Sequence, residues 1–190
     1  MIHEITKRRK STVLFSSQSI DKKILVELFE AARWAPSSNN IQPWRFIFAM
    51  KGDTYYDQFL DCMFEKNQLW ASNAPVLLLT IAQAITDDHR ENTYAWHDTG
   101  MAYSNLVFQA VSSGLSIHPM GGFDKTKARI VAEVPDNYNP VIMAGLGYLS
   151  DYLEFDETLI FREKRERIRK PLTEIVFHGS FGANLGFPKN

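Results

Sequence analysis

Residues Val76 to Ala82 read VLLLTIA, with one hydroxyl and no charge among them. A run this short and this apolar is what a strand buried on both faces requires. The spacing around it predicts the remaining elements. Residues 3–10 suit a short basic helix. A second helix follows, capped by Ser19 or Asp21, with Ile24, Leu25, Leu28, Phe29 and Ala32 on one face. It should stop near Ala35, because Pro36 disfavours helical geometry in the residue before it. Trp44, Phe46, Phe48 and Met50 alternate as a strand does. Asp53 to Phe64 reads as a helix with Tyr56, Phe59, Leu60 and Met63 inward. Residues 91–113 are the longest helical candidate, and Met101 to Val111 is apolar on most sides, as in a central buried helix. A strand at Leu115 to His118, a capped helix from Asp124 to Val134 and a strand crowded with small residues at Val141 to Leu149 complete the series.

Helices alternating with strands place the fold in the α/β or α+β class around one sheet. No internal repeat or low-complexity linker divides the 190 residues, so 1–190 reads as a single domain. The segment after Gly147 is long, charged and aromatic, with Phe177, Phe181 and Phe187 among glycines. Such a tail makes no core of its own and must wrap over another surface, its own domain's or a partner's.

A formal net charge of −1 gives no global field toward nucleic acid or anionic membrane. Cations do cluster locally, at Lys7 to Lys10 and at Arg162 to Lys170, where an anionic ligand could be held. The single cysteine, Cys62, fits a reducing compartment and has no neighbour that would lower a thiol pKa, so it reads as a packing residue. With no apolar signal segment and no membrane-length run, the expectation is a cytoplasmic protein.

Four stretches could carry chemistry. In RRKSTVLF (residues 8–15), cations precede a hydroxyl. Guanidinium groups hold phosphate by paired hydrogen bonds, but a solvated helix end has the same composition. In APSSNNIQPW (35–44), Ser37, Ser38, Asn39, Asn40 and Gln42 offer more donors and acceptors than a turn needs, although each is a common turn residue. They suit a polar heterocycle or a ribityl chain. In HPMGGFD (118–124), paired glycines let backbone N–H groups approach a flat ligand, or simply turn a strand into a helix. In RERIRKPLTEI (165–175), Arg167 and Arg169 share a face if the segment is extended, and both could reach one phosphate.

Phosphate-loop, zinc-ligand and nucleophile-elbow motifs do not occur, and the expectation is no metal. Histidines 3, 89, 97, 118 and 178 are scattered. His97 and Asp98 are adjacent, and adjacent residues on a helix point apart, so the pair reads as structural. Phe64, Trp70 and Trp96 are candidates for an aromatic rim, with core packing the alternative for each. No catalytic side chain is named.

Taken in order, these stretches resemble the nitroreductase family of FMN-dependent oxidoreductases. The likeness rests on Arg9 to Phe15, on APSS-x-N-x-QPW at Ala35 to Trp44, and on N-x-x-W followed by NAPV at Asn67, Trp70 and Asn73 to Val76. GGF at Gly121 to Phe123 and R-x-RKPL at Arg167 to Leu172 extend it over nearly the whole chain. The resemblance implies an α+β sandwich, with a mixed central β-sheet flanked by helices. It also implies an intertwined homodimer whose C-terminal tails are exchanged and whose flavin lies at the subunit interface. Carried over by motif, Arg9, Lys10 and Ser11 contact FMN, with Arg9 near the phosphate. Arg167 and Arg169 complete the phosphate cradle, with Lys170 the alternative one residue out of register. Pro36, Ser37, Ser38 and Asn40 come from the other subunit. Asn67 reaches the pyrimidine edge, and Gly121 and Gly122 place N–H groups near the reactive ring nitrogen. The chain departs from the family at Val13, where a cation often helps stabilise negative charge on the reduced ring.

The implied activity is ping-pong transfer of hydride from NADH or NADPH through the flavin to a nitroaromatic, a quinone or a similar small acceptor. The cofactor carries the hard step and needs no side-chain nucleophile. The alternative is a flavin-binding protein that stores or senses FMN without turnover.

Overall fold

The computed structural model describes residues 2–151, 155–184 and 186, so Phe187 lies outside the described residues. Along the chain run α1 (Glu4–Arg8), α2 (Lys22–Arg33), β1 (Trp44–Met50), α3 (Thr54–Asp61), α4 (Glu65–Ala71) and β2 (Val76–Gln83). There follow α5 (Ala95–Ser112), β3 (Ser116–Met120), α6 (Lys125–Val131), β4 (Tyr138–Gly147) and α7 (Glu157–Glu163). Single turns of 3-10 helix occupy Ser38–Asn40 and Leu172–Glu174.

The strands form one sheet in the order β1-β2-β4-β3. The resemblance implied a mixed sheet, but every pairing among the described residues is antiparallel. A strand covered on both faces is apolar throughout in either direction, so the pattern of β2 does not distinguish them. The apolar run of β2 reports only that all eight of its residues are buried, as a central strand covered on both faces must be.

Alternate side chains of β2 feed two cores. Leu77, Leu79 and Ile81 join Phe15, Tyr56, Phe59 and Trp70 under α3, α4 and α6. Val76 and Leu78 pack with Leu25 and Leu28 of α2 and Leu106 and Ala110 of α5. Each fully buried Leu contributes about 1.5–3 kcal/mol, an upper figure because the unfolded chain is itself partly collapsed. The architecture is therefore α+β, a sheet between two helical layers.

Local signals set several boundaries. The Asp21 carboxylate accepts the Lys23 N–H at 2.8 Å and starts α2. That helix stops short of Pro36. Asp124 and Asp156 cap α6 and α7 in the same way. The small residues of β4 admit the N-terminal segment. A Cβ on Gly147 would lie 2.6 Å from Pro75 Cδ and 3.0 Å from Phe15 Cδ1, so only glycine lets Phe15 sit there. Phe15 bridges Leu149, and the Ser16 N–H donates to the Tyr148 carbonyl at 2.9 Å. Residues 12–16 are thereby seated beside the end of β4. No helix among the described residues is long and apolar enough to cross a membrane.

Candidate functional site

Residues 7–13 and 162–169, far apart in sequence, meet. The anchor is Glu163 on α7, whose side chain is 2% exposed. Its Oε1 lies 2.7 Å from Lys10 Nζ, and its Oε2 accepts from Thr12 Oγ1 and from the Val13 N–H, each at 2.9 Å. Lys10 also donates to the Glu163 carbonyl. The Lys10 ammonium, expected on the cofactor, is thus engaged by an internal carboxylate. Arg167 reaches back to donate to the carbonyls of Arg9 and Lys7, the latter at 2.6 Å.

This folding-back gathers cations. Arg9 Nη1 donates to Ser11 Oγ at 3.2 Å. Burial, followed by the guanidinium groups of Arg167 and Arg169, pushes the Arg9 pKa below its ordinary value. Lys170, the alternative in register, pairs instead with Glu174 at 3.9 Å. Among the described residues no carboxylate forms an ion pair with Arg9, Arg167 or Arg169. The hydroxyl of Tyr103, on α5 within electrostatic reach of Arg9, is buried without a hydrogen-bond partner. Three cations in mutual repulsion beside an unsatisfied hydroxyl fit a bound phosphate, which would relieve both.

A second group forms where α4 meets the turn after β3. Asn67 Nδ2 donates to the Gly122 carbonyl at 2.9 Å, and Trp70 Nε1 donates to Asn67 Oδ1 at 3.3 Å. The Phe64 N–H donates to the same Gly122 carbonyl at 3.1 Å. A Cβ on Gly122 would lie 2.5 Å from Asn67 Nδ2, so the close approach requires glycine. A Cβ on Gly121 would meet nothing within 4 Å, which leaves backbone open to a flat ligand. Trp70 is a core residue at 0% exposure, whereas Phe64 and Trp96 are 59% and 51% exposed. Core packing holds for the first and fails for the other two.

His118 joins the two groups. Its ring stacks on Trp70 with centroids 4.1 Å apart and planes at 19°. Its Nδ1 lies 2.7 Å from the Thr12 carbonyl. Arg162 stands over Trp70, its Cζ 5.8 Å from the ring centroid.

Pro36, Ser37, Ser38 and Asn40 stand apart. No hydrogen bond or ion pair among the described residues links them to the Arg9 or Gly122 groups. The Ser38 N–H donates to Asp98 Oδ2 at 2.9 Å, and the Gln42 N–H to Ser37 Oγ at 3.0 Å. Asn39, Asn40 and Gln42 all take positive φ, at 50°, 55° and 52°. Asparagine tolerates that region and Gln42 does so under strain, a pattern that clusters at functional loops. Asp98 also corrects an expectation. His97 and Asp98 do touch, with Nδ1 2.9 Å from Oδ1. In the first turn of α5 the buried Asp98 and the exposed His97 curl toward each other, and Asp98 spends its second oxygen on the loop.

Cys62 packs as expected, 1% exposed, with its thiol pKa raised chiefly by burial. No group of three or more His, Cys, Asp or Glu among the described residues could hold a metal. Thr12, His118 and Arg162 fall inside stretches the sequence singles out and Asp98 inside a pair it weighs, but none is assigned a role there, and Glu163 carries no motif that marks it. The one available signal is that Glu163 follows the buried Leu159 by four residues, on the inward face of α7.

The nitroreductase family profile matches residues 6–148. The chain belongs to the nitroreductase family. A solved oxidoreductase containing FMN superposes with a TM-score of 0.90 at 31% identity, covering 97% of this chain and 94% of that one. An uncharacterized 15.4 kDa protein of Mycolicibacterium smegmatis is 36% identical over 123 residues, 65% of this chain and 82% of that protein. A Streptococcus pyogenes protein with the provisional name NAD(P)H nitroreductase Spy0809 is 22% identical, covering 86% of this chain and 98% of its own. The nitroreductase match stops before Glu163, Arg167 and Arg169, so the residues that complete the cationic group lie beyond it.

Proposed function

We propose that this chain is an FMN-dependent oxidoreductase that draws on NADH or NADPH and reduces a small acceptor such as a nitroaromatic or a quinone. The observation that carries the reading is the convergence of Arg9, Arg167 and Arg169 without a described acidic partner, in a chain of this family. Likeness to the solved FMN-containing oxidoreductase supports the choice of flavin. Bound FMN supplies a two-electron relay between a reduced nicotinamide and an oxidised acceptor.

The chain's own residues hold and shape that relay. Arg9, Arg167 and Arg169 bind the phosphate by charge-assisted hydrogen bonds, with Ser11 orienting Arg9. Glu163 fixes the Thr12 hydroxyl and the Val13 backbone N–H. Asn67, held by Gly122 and Trp70, keeps a free amide hydrogen for a ring edge, and Phe64 stands at the rim. The part-exposed Pro36–Asn40 loop and the apolar tail, where Ile168, Leu172 and Ile175 are exposed, suit contact with a second copy of this chain. In that homodimer the loop completes the partner's site.

The deciding measurement is the visible spectrum of the purified protein before and after anaerobic NADH or NADPH. A flavin spectrum that bleaches is the expected result. A flavin spectrum that does not bleach identifies a storage or sensor protein. A colourless protein that FMN cannot reconstitute refutes the reading. Sedimentation should give a dimer.

A further inference from the structure

His118 is an imidazole set among the candidate cofactor residues, and its hydrogen bond to Thr12 fixes its proton. The Thr12 carbonyl can only accept, so Nδ1 carries the hydrogen and donates it at 2.7 Å. Nε2 is left as the working nitrogen, an acceptor when the ring is neutral and a donor when it is charged. Stacking on Trp70, itself tied to Asn67, fixes the ring plane. Gly121 and Gly122 come three and four residues after His118, on the turn that leads from β3 to α6.

Resting on the FMN reading above, we propose that His118 Nε2 is the proton store of the redox site, taking up a proton when the site gains electrons and releasing it to the acceptor. In the first half-reaction the nicotinamide C–H bond breaks and hydride enters the site, bringing two electrons and one proton. A second proton comes from solvent and bonds to Nε2. In the second half-reaction the oxidised acceptor receives the hydride equivalent, the Nε2–H bond breaks, and that proton completes the acceptor's reduction. The sum is one reduced nicotinamide, one acceptor and one solvent proton in, with oxidised nicotinamide and an acceptor carrying two more hydrogens out.

The surroundings make the store respond to charge. Burial first, then the cations Arg162 of α7 and Arg9 of the N-terminal segment, lower the His118 pKa from 6.5. The Thr12 carbonyl and the Glu163 carboxylate act in the opposite sense. Trp70 of α4 adds no charge, and Gly145, its partner on β4, has no side chain. The ring is therefore neutral at pH 7 while the site is oxidised. Negative charge arriving nearby offsets the cations and raises the affinity for a proton. Between the oxidised and reduced pKa values, reduction brings in one proton more than hydride alone.

The test is potentiometric titration of the FMN-loaded protein across pH. For a two-electron couple, each proton taken up contributes a tenfold change per pH unit, about 30 mV. Wild type should show about 60 mV per pH unit in a window that opens below pH 6.5, and His118→Asn, which keeps a donor for Thr12, about 30. Arg162→Gln should move the lower edge of the window to higher pH, because removing a cation eases His118 protonation. A one-proton slope in wild type overturns the proposal. So does a two-proton slope that survives in a flavin-loaded His118→Asn protein, because the proton then resides elsewhere. A wild-type protein that takes up no FMN overturns the function proposed above and this inference with it.

Discussion

Glu163→Ala removes a buried carboxylate that hydrogen-bonds the N-terminal segment from α7. Three partners lose it, and they lose unequally. Lys10 is 37% exposed and can turn its ammonium to water, so its share is about 0–1 kcal/mol. The Thr12 hydroxyl keeps a second, longer acceptor in the Leu14 carbonyl at 3.4 Å, and its loss is about 1 kcal/mol. The Val13 N–H, in a residue 1% exposed, is left with no acceptor among the described residues, at about 1–3 kcal/mol. The total is about 2–5 kcal/mol, which overlaps the about 3–5 kcal/mol expected for breaking one half of a buried ion pair. Urea denaturation with an unchanged slope would read it directly. A double-mutant cycle with Lys10→Met should give a coupling under about 1 kcal/mol, because the Thr12 hydroxyl and the Val13 N–H carry the effect. A loss below about 1 kcal/mol for Glu163→Ala refutes the reasoning, and a coupling above about 2 kcal/mol would shift the credit to the ion pair.

Gly122→Ala should destabilise by about 1–3 kcal/mol, because the new methyl displaces Asn67 and strands Trp70 Nε1. In an Asn67→Ala background the same substitution should be nearly neutral in thermal melting. Arg169→Ala should weaken FMN binding by tenfold to a hundredfold, one charge-assisted contact of about 1.5–3 kcal/mol, while Lys170→Ala changes it less than twofold. Fluorescence titration distinguishes the two. Cys62 should react with a thiol reagent only as fast as the protein opens, and a labelling burst on the folded protein would contradict its burial.

Much of the scaffold was legible because burial writes itself into sequence. Alternating aromatics marked β1 over its whole length, Trp44 to Met50, and Pro36 marked the end of α2. α4 was not legible, since EKNQLWA begins without a side-chain cap and spans only two turns. α7 was hidden for another reason: Glu163 sits in a basic run and looks solvated, yet it is the inward residue. The cationic group was legible as arginines in two separated runs. Its meeting point was not, because the contacts that join the runs depend on tertiary structure rather than on either segment. His118 shows the same limit. A lone histidine carries no pattern, and only the Trp70 ring and the Thr12 carbonyl show how it is held.

The Glu163 clasp also orders events in time. The bond from Thr12 to Glu163 closes a span of 151 residues. Helices α2 and α5 and the hairpin-like neighbours of the sheet can assemble during synthesis, but this contact waits until α7 has left the ribosome. Contacts of such high sequence separation form late and slow the approach to the native state. On the function proposed above, a newborn chain would thus acquire its sheet before the arginine group that holds phosphate, and competence to capture the cofactor would mark the last stage of its maturation.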